Sequence, residues 1–255
     1  MTQYRVLGPF SVAVDGEPRT PSAAKVRQVL ALLLLRANQV VRQDSIIEEL
    51  WGDRPPRSAV TTTQTYIYQI RRLLHPARRA AHDDRTVRTV PPGYELSVGP
   101  GQLDSWEFES CVDRARALLD DGRVAEAARL LSRARSMWTG PVLADVTQGP
   151  VLRRYAARLE EKRNLAQELS LAADMRLGRH RELVAELKSL VMANPYHEWL
   201  HAQLMIALQR SGRRAEALAA FQQARRLLNE QLGIEPSGDL QRIHQDILKE
   251  DALTP

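Results

Sequence analysis

Residues 54–82 read RPPRSAVTTTQTYIYQIRRLLHPARRAAH, a run of twenty-nine with six arginines and no carboxylate between Asp53 and Asp83. Most of this stretch has the periodicity of one helix. Val60, Thr63, Ile67, Ile70 and Leu74 recur at the three-and-four spacing of a buried stripe. The opposite face carries Thr61, Thr65, Tyr68, Gln69 and Arg72, flanked by Gln64 and Arg71. A helix anchored by its back and offering hydroxyls, amides, a phenol and guanidinium groups from its front suits base edges and phosphates in a DNA major groove. The plainer alternative is a solvated basic face.

Elsewhere the sequence supports that reading. Residues 1–100 hold 14 Lys/Arg against 9 Asp/Glu, whereas residues 101–255 hold 22 of each. The whole excess of +5 therefore falls in the first part of the chain, where a polyanion footprint belongs. A single cysteine, Cys111, rules out an internal disulfide and reads as a small apolar helix residue in a reducing cytoplasm. The start, MTQYRVLGPF, lacks the basic and apolar regions of a secretory signal, and the apolar run Val29–Leu35 is too short to span a bilayer. A cytoplasmic protein without membrane contact is expected, nucleoid-associated when bound to DNA.

Working outward, Tyr4, Val6, Phe10, Val12 and Val14 alternate up to Asp15-Gly16, a hairpin signal. A first helix is expected from Ser22 as N-cap, burying Val26, Val29, Leu30, Leu33 and Leu34. A second runs from about Asp44 to Trp51 and stops at Gly52. After the arginine-rich helix, Thr86–Val90 alternates as a strand, Pro91-Pro92-Gly93 turns it and Tyr94-Glu95-Leu96 returns. A leading sheet, three helices and a closing hairpin make a winged helix over residues 1–98, with the third helix as reader and the hairpin as wing. Gly99-Pro100-Gly101 then separates a second domain, residues 104–252, which Asp104 and Glu107 open as a capping box.

That second domain reads as helical throughout. The tag Gly-Arg-x-x-Glu recurs at Gly122, Gly178 and Gly212, the last two 34 residues apart, the tetratricopeptide period. Matching small and apolar positions follow each tag: Ala127, Leu131 and Ala134; Leu183, Leu187 and Leu190; Ala217, Phe221 and Ala224. Pro195 stands where such a repeat ends, and an insertion around Thr139–Pro150 breaks the first interval. The fold class is mainly α with a small α/β part, ending in a solenoid of about three helical hairpins.

Taken together, the two parts resemble the Streptomyces antibiotic regulatory protein family. In the first part the resemblance rests on Val6-Leu7-Gly8-Pro9, on Leu50-Trp51-Gly52 with Pro55-Pro56, and on Tyr66–Leu74. In the second it rests on Gly140–Asp145, Leu159-Glu160-Glu161, Arg176–His180, Leu204–Leu208, Ser211–Leu218 and Gln231–Pro236, stretches similar to a bacterial transcriptional activation domain. It implies an OmpR-type winged helix-turn-helix and a short family form without an appended ATPase module. It further implies an activator of a secondary-metabolite gene cluster that binds direct repeats near the promoter −35 region as a side-by-side homodimer. The implied protein partners are RNA polymerase parts: sigma factor region 4, the beta flap and the alpha C-terminal domain. Carried onto this chain, Thr61, Gln64, Thr65, Tyr68 and Gln69 would face the groove. Arg71, Arg72, Arg88 and Thr89 would complete the DNA-binding set, the arginines mainly on phosphates. The family commonly has arginine or serine where this chain has Gln64, Tyr68 and Gln69. Asp53, Arg54 and Arg57 form the candidate polymerase contact.

One motif points toward an enzyme. His197-Glu198-Trp199-Leu200-His201 is a literal H-E-x-x-H, which on a helix aligns two imidazoles for zinc. No recognisable third ligand follows, and the segment begins a repeat helix just after Asn194-Pro195, where capping and hairpin packing account for it. No G-x-S-x-G, P-loop or dinucleotide fingerprint occurs. Neither catalysis, metal nor cofactor is expected. His75 and His82 read as surface or phosphate-adjacent groups, and the four tryptophans as packing residues. A peptide-binding scaffold, with DNA binding secondary, is the competing reading; the neutral charge of residues 101–255 and their hairpins motivate it.

Overall fold

The computed structural model describes residues 2–75 and 86–249. They pack as two compact units, Met1–Gly122 with Arg129–Leu169 and Arg123–Ala128 with Ser170–Pro255. The first unit opens on an antiparallel sheet of β1 (Thr2–Arg5), β2 (Ser11–Val14) and β3 (Glu17–Pro18). Pairing of Val14 with Glu17 leaves Asp15-Gly16 as a two-residue loop with φ of 52° and 85°, the positive values a tight hairpin needs. The alternation places Tyr4, Val6, Phe10 and Val12 in the core.

Helices α1 (Ala24–Leu35), α2 (Gln43–Trp51) and α3 (Ala59–Leu74) follow and pack on one another. A second sheet of β4 (Val40–Arg42), β5 (Val87–Val90) and β6 (Gly93–Leu96) closes the winged helix in the order β4-β6-β5. Strand β4 has no signal of its own in the sequence; three residues are too few to show a period. Ser22 does not cap α1, whose N-cap is Ala23 without a side-chain bond. The Ser22 carbonyl instead accepts from the Arg27 guanidinium. On α3 the buried stripe starts at Ala59 and not at Val60, which is 47 % exposed. Ala59, Thr63, Ile67, Ile70 and Leu74 keep one azimuth, and Val60 is turned about 100° from Ala59.

The same unit continues into α4 (Asp104–Asp120), the later part of α5 (Val124–Ser136) and the first part of α6 (Pro150–Arg176). Three carboxylates stitch these helices and their connections to the winged helix. Asp104 is the first residue of α4, with Leu103 as N-cap, so the expected capping box does not form. Its carboxylate turns outward and accepts from Val6 N at 2.9 Å and Leu7 N at 3.2 Å. Burial pushes this carboxyl above the ordinary aspartate value, against the pull of those amides. Asp145 accepts from Phe10 N at 2.6 Å and pairs with Arg27 at 2.6 Å.

Glu49, 2 % exposed on α2, accepts from Gly149 N, Val151 N and Leu152 N at 2.5, 2.9 and 2.9 Å. These are first-turn amides of α6, with no acceptor inside that helix, so Glu49 caps it from a distance of a hundred residues. A Cβ at Gly149 would collide with the Glu49 carbonyl oxygen, so only glycine admits the approach. Gln28 supports the carboxylate from behind, donating from Nε2 to Glu49 Oε1 at 2.8 Å.

The second unit takes the rest of α6 with α7 (His180–Ala193), α8 (Glu198–Arg210), α9 (Arg214–Leu232) and α10 (Gly238–Lys249). Leu171, Leu183, Leu187, Leu200, Met205, Leu208, Phe221, Leu240 and Ile247 form one buried cluster. The recurrent glycines, Gly122, Gly178 and Gly212, all sit at φ near 77°, the left-handed turn that reverses one helix into the next. Among the described residues no helix is long and apolar enough to cross a membrane.

The Glu49 joint yields a direct test. Glu49→Ala leaves three buried or half-buried amides without an acceptor and is expected to cost about 3 kcal/mol. Thermal melting should show this as a fall in Tm of roughly 6–12 °C. A variant that melts with the wild type would show that water replaces the carboxylate without loss.

Candidate nucleic-acid interface

Helix α3 is about 24 Å long and carries no acidic residue. Its back is held by Ile67, Ile70 and Leu74, each at most 1 % exposed and each stabilising by about 1.5–3 kcal/mol. Thr63, fully buried in the same stripe, satisfies its hydroxyl by donating to Ala59 O at 2.8 Å. Residues Thr61, Gln64, Thr65, Tyr68, Gln69 and Arg72 are all exposed. Thr61, Thr65, Tyr68 and Arg72 are spaced four, three and four residues apart and so form one line along the helix. Thr65 donates its hydroxyl proton to Thr61 O at 3.0 Å, which leaves its methyl and oxygen lone pairs outward. The Arg72 guanidinium carbon lies 5.9 Å from the Tyr68 ring centroid, which biases that long side chain along the helix front.

The neighbouring arginine behaves differently. Arg71 is half-buried and donates from Nε to Val87 O at 3.0 Å and from Nη2 to Thr89 Oγ1 at 2.9 Å. Arg88 pairs with Glu95 at 2.6 Å directly across the wing ladder. Because side chains alternate along a strand, Arg88 with Glu95 and Thr89 with Tyr94 occupy opposite faces of the wing. The two wing residues therefore cannot present themselves on the same face. His75 contacts Thr86 at 2.6 Å, at the base of the wing, and His82 lies outside the described residues. Asp53, Arg54 and Arg57 are exposed together in the α2–α3 connection.

The H-E-x-x-H stretch is taken up by structure in the second unit. His201 is 4 % exposed, and its Nε2–H donates to Pro195 O at 2.9 Å. Glu198 accepts from Ser237 N at 2.6 Å. His197 occupies the N-cap position of α8 but its side chain makes no capping bond, contrary to expectation. Among the described residues no group of three or more His, Cys, Asp or Glu side chains is placed to hold a metal ion. Sequence reasoning passed over Glu49, although a glutamate inside the Ile46–Leu50 apolar face of a short helix was the available signal.

Comparison with known proteins supplies the class. Residues 103–248 match the Bacterial transcriptional activator domain, and residues 17–96 match the Transcriptional regulatory protein, C terminal domain. The chain is 41 % identical to the regulatory protein DnrI of Streptomyces peucetius, over 98 % of this chain and 93 % of that protein. It is 36 % identical to the regulatory protein AfsR of Streptomyces coelicolor, of which it spans 24 %. The solved structure of Mycobacterium tuberculosis EmbR in complex with a low affinity phosphopeptide aligns with a TM-score of 0.90 and 32 % identity. That match covers 98 % of this chain and 65 % of that one.

A winged helix followed by an all-α activator domain of tetratricopeptide type defines a transcriptional activator. The chain belongs to the Streptomyces antibiotic regulatory protein family.

The two histidines of the zinc-like motif separate in a stability measurement. Loss of a buried hydrogen bond predicts that His201→Ala lowers stability by about 1–3 kcal/mol, with a smaller loss for His197→Ala. Stoichiometric zinc in the purified protein, lost equally in both variants, would reverse this assignment.

Proposed function

We propose that the protein activates transcription of a secondary-metabolite gene cluster by binding direct repeats near the −35 region and recruiting RNA polymerase. Residues 1–98 act as the DNA-binding domain and residues 104–252 as the activation domain. The supporting observation is the front of α3, an exposed acid-free line of Thr61, Thr65, Tyr68 and Arg72 on a helix whose back is fully packed. A helix of this diameter fits the major groove, where amides and hydroxyls read base edges and guanidinium groups neutralise phosphates.

In this reading Thr61, Gln64, Thr65, Tyr68 and Gln69 face bases and Arg72 faces the backbone. The wing follows the neighbouring backbone with Arg88 or Thr89, whose opposite faces allow one of them to touch a given strand. Two protomers lie side by side on the two repeats. The exposed Asp53, Arg54 and Arg57 offer the polymerase contact, with the sigma factor, beta flap and alpha C-terminal domain as its class of target.

Footprinting on promoters beside its own gene, with and without polymerase, tests the whole reading; two adjacent protected repeats are expected. A protein that activates a reporter equally well without residues 1–98 would favour the peptide-scaffold alternative. Two substitutions then separate roles. Arg72→Ala should weaken binding to cognate and scrambled DNA alike and reduce the log–log salt slope by about 0.9. Gln69→Ala should cost about 1–3 kcal/mol on cognate DNA only, relaxing one or two base pairs, if it makes a bidentate contact. Equal losses for both variants on both duplexes would remove the assignment.

A further inference from the structure

Arg71 stands out on the α3 flank because its guanidinium is turned away from the helix front. Nε and Nη2 form a fork onto the wing, one prong on the Val87 carbonyl at 3.0 Å and the other on Thr89 Oγ1 at 2.9 Å. Val87 and Thr89 are two residues apart on β5, an edge strand of its sheet, so both acceptors lie on one side of the strand. The charge of Arg71 also reaches Tyr94, which faces Thr89 across the ladder: burial raises that phenol and Arg71 draws it back down. A second stitch, His75 to Thr86 at 2.6 Å, lies one helical turn further on. Arg72, the adjacent residue, is exposed and lies along Tyr68.

Reader and wing are consecutive along the chain but separated by residues 76–85, so their mutual placement depends on contacts across the gap between α3 and β5. A planar guanidinium with two donors committed to two acceptors fixes direction as well as distance. A lysine ammonium on a flexible stem cannot reproduce that fork. We propose that Arg71 is a positioning residue, holding the wing in register with the reading helix through Val87 and Thr89, instead of serving as a phosphate ligand. This rests on the reading of α3 as the DNA-contacting helix. It assigns adjacent arginines opposite duties: Arg72 faces the nucleic acid and Arg71 faces the protein.

A double-mutant cycle on the full chain decides it, using Arg71→Lys, Thr89→Val and the pair. The probe is a duplex that the wild-type protein selects from a randomised pool, with a scrambled duplex as control and affinity measured across a salt series. Thr89→Val keeps the charge and shape of its neighbours and removes one acceptor of the fork. It should lower cognate affinity about fivefold with an unchanged salt slope. The double variant should bind no more weakly than Arg71→Lys alone, and melting without DNA should show the same lack of additivity. Full cognate affinity in Thr89→Val, or losses that multiply in the double variant, overturns the positioning role. Failure of the underlying reading is separately visible, since a wild-type protein that selects no duplex at low salt removes the nucleic-acid interface itself.

Discussion

A buried backbone N–H without an acceptor costs about 1–3 kcal/mol, and the first unit of this protein brings several such groups into one region. Val6, Leu7 and Phe10 leave the leading sheet with amides that no strand can pair, while Gly149, Val151 and Leu152 open a long helix whose first turn has none of its own carbonyls to use. Asp104, Asp145 and Glu49 answer these needs in turn. Each is an anion accepting from neutral donors, so each contact is charge-assisted and stronger than an amide–amide bond. The winged helix therefore shares a polar frame with the start of the activator domain.

That frame also explains where the remaining charges can go. Carboxylates committed to backbone amides are not available to neutralise arginines, and the front of α3 is left wholly without acid. Within the winged helix the arginines sort by partner. Arg27 is held by Asp145, Arg88 by Glu95 and Arg71 by the wing backbone and Thr89, while Arg54, Arg57 and Arg72 point to solvent. Net charge alone gives no indication of this division. A count of basic residues overstates the groups that a polyanion could engage, and the geometry identifies which ones they are.

How far the sequence revealed this depended on the range of each interaction. The back of α3, the hairpin at Asp15-Gly16 and the stop at Gly52 are local, governed by periodicity and by positive φ, and were legible directly. Val60 misled because a β-branched apolar residue at the rim of a stripe looks the same as one inside it; azimuth decides, and Ala59 wins. Ser22 and Asp104 carry the chemistry of N-caps, yet neither caps its own helix, since Asp104 finds better donors in Val6 and Leu7 about a hundred residues away. The exposed groups of the reading face were foreseeable from helical spacing. The engagement of Arg71 with the wing was not, because it depends on a strand brought alongside by the tertiary fold.

Two stretches that carry the family resemblance, Val6-Leu7-Gly8-Pro9 and Gly140–Asp145, prove to be partners. Thr139 N donates to Leu7 O at 2.9 Å, Leu143 N to Val6 O at 3.0 Å and Ala144 N to Gly8 O at 3.1 Å. A side chain at Gly8 would strike the Thr139 hydroxyl. The first strands to leave the ribosome must therefore wait for the middle of the chain. At about 5–20 residues per second, the interval between residues 8 and 145 is several seconds of translation. During that time the nascent leading sheet has its exit amides bare, and chaperones or solvent must shield them until the later segment emerges and locks it.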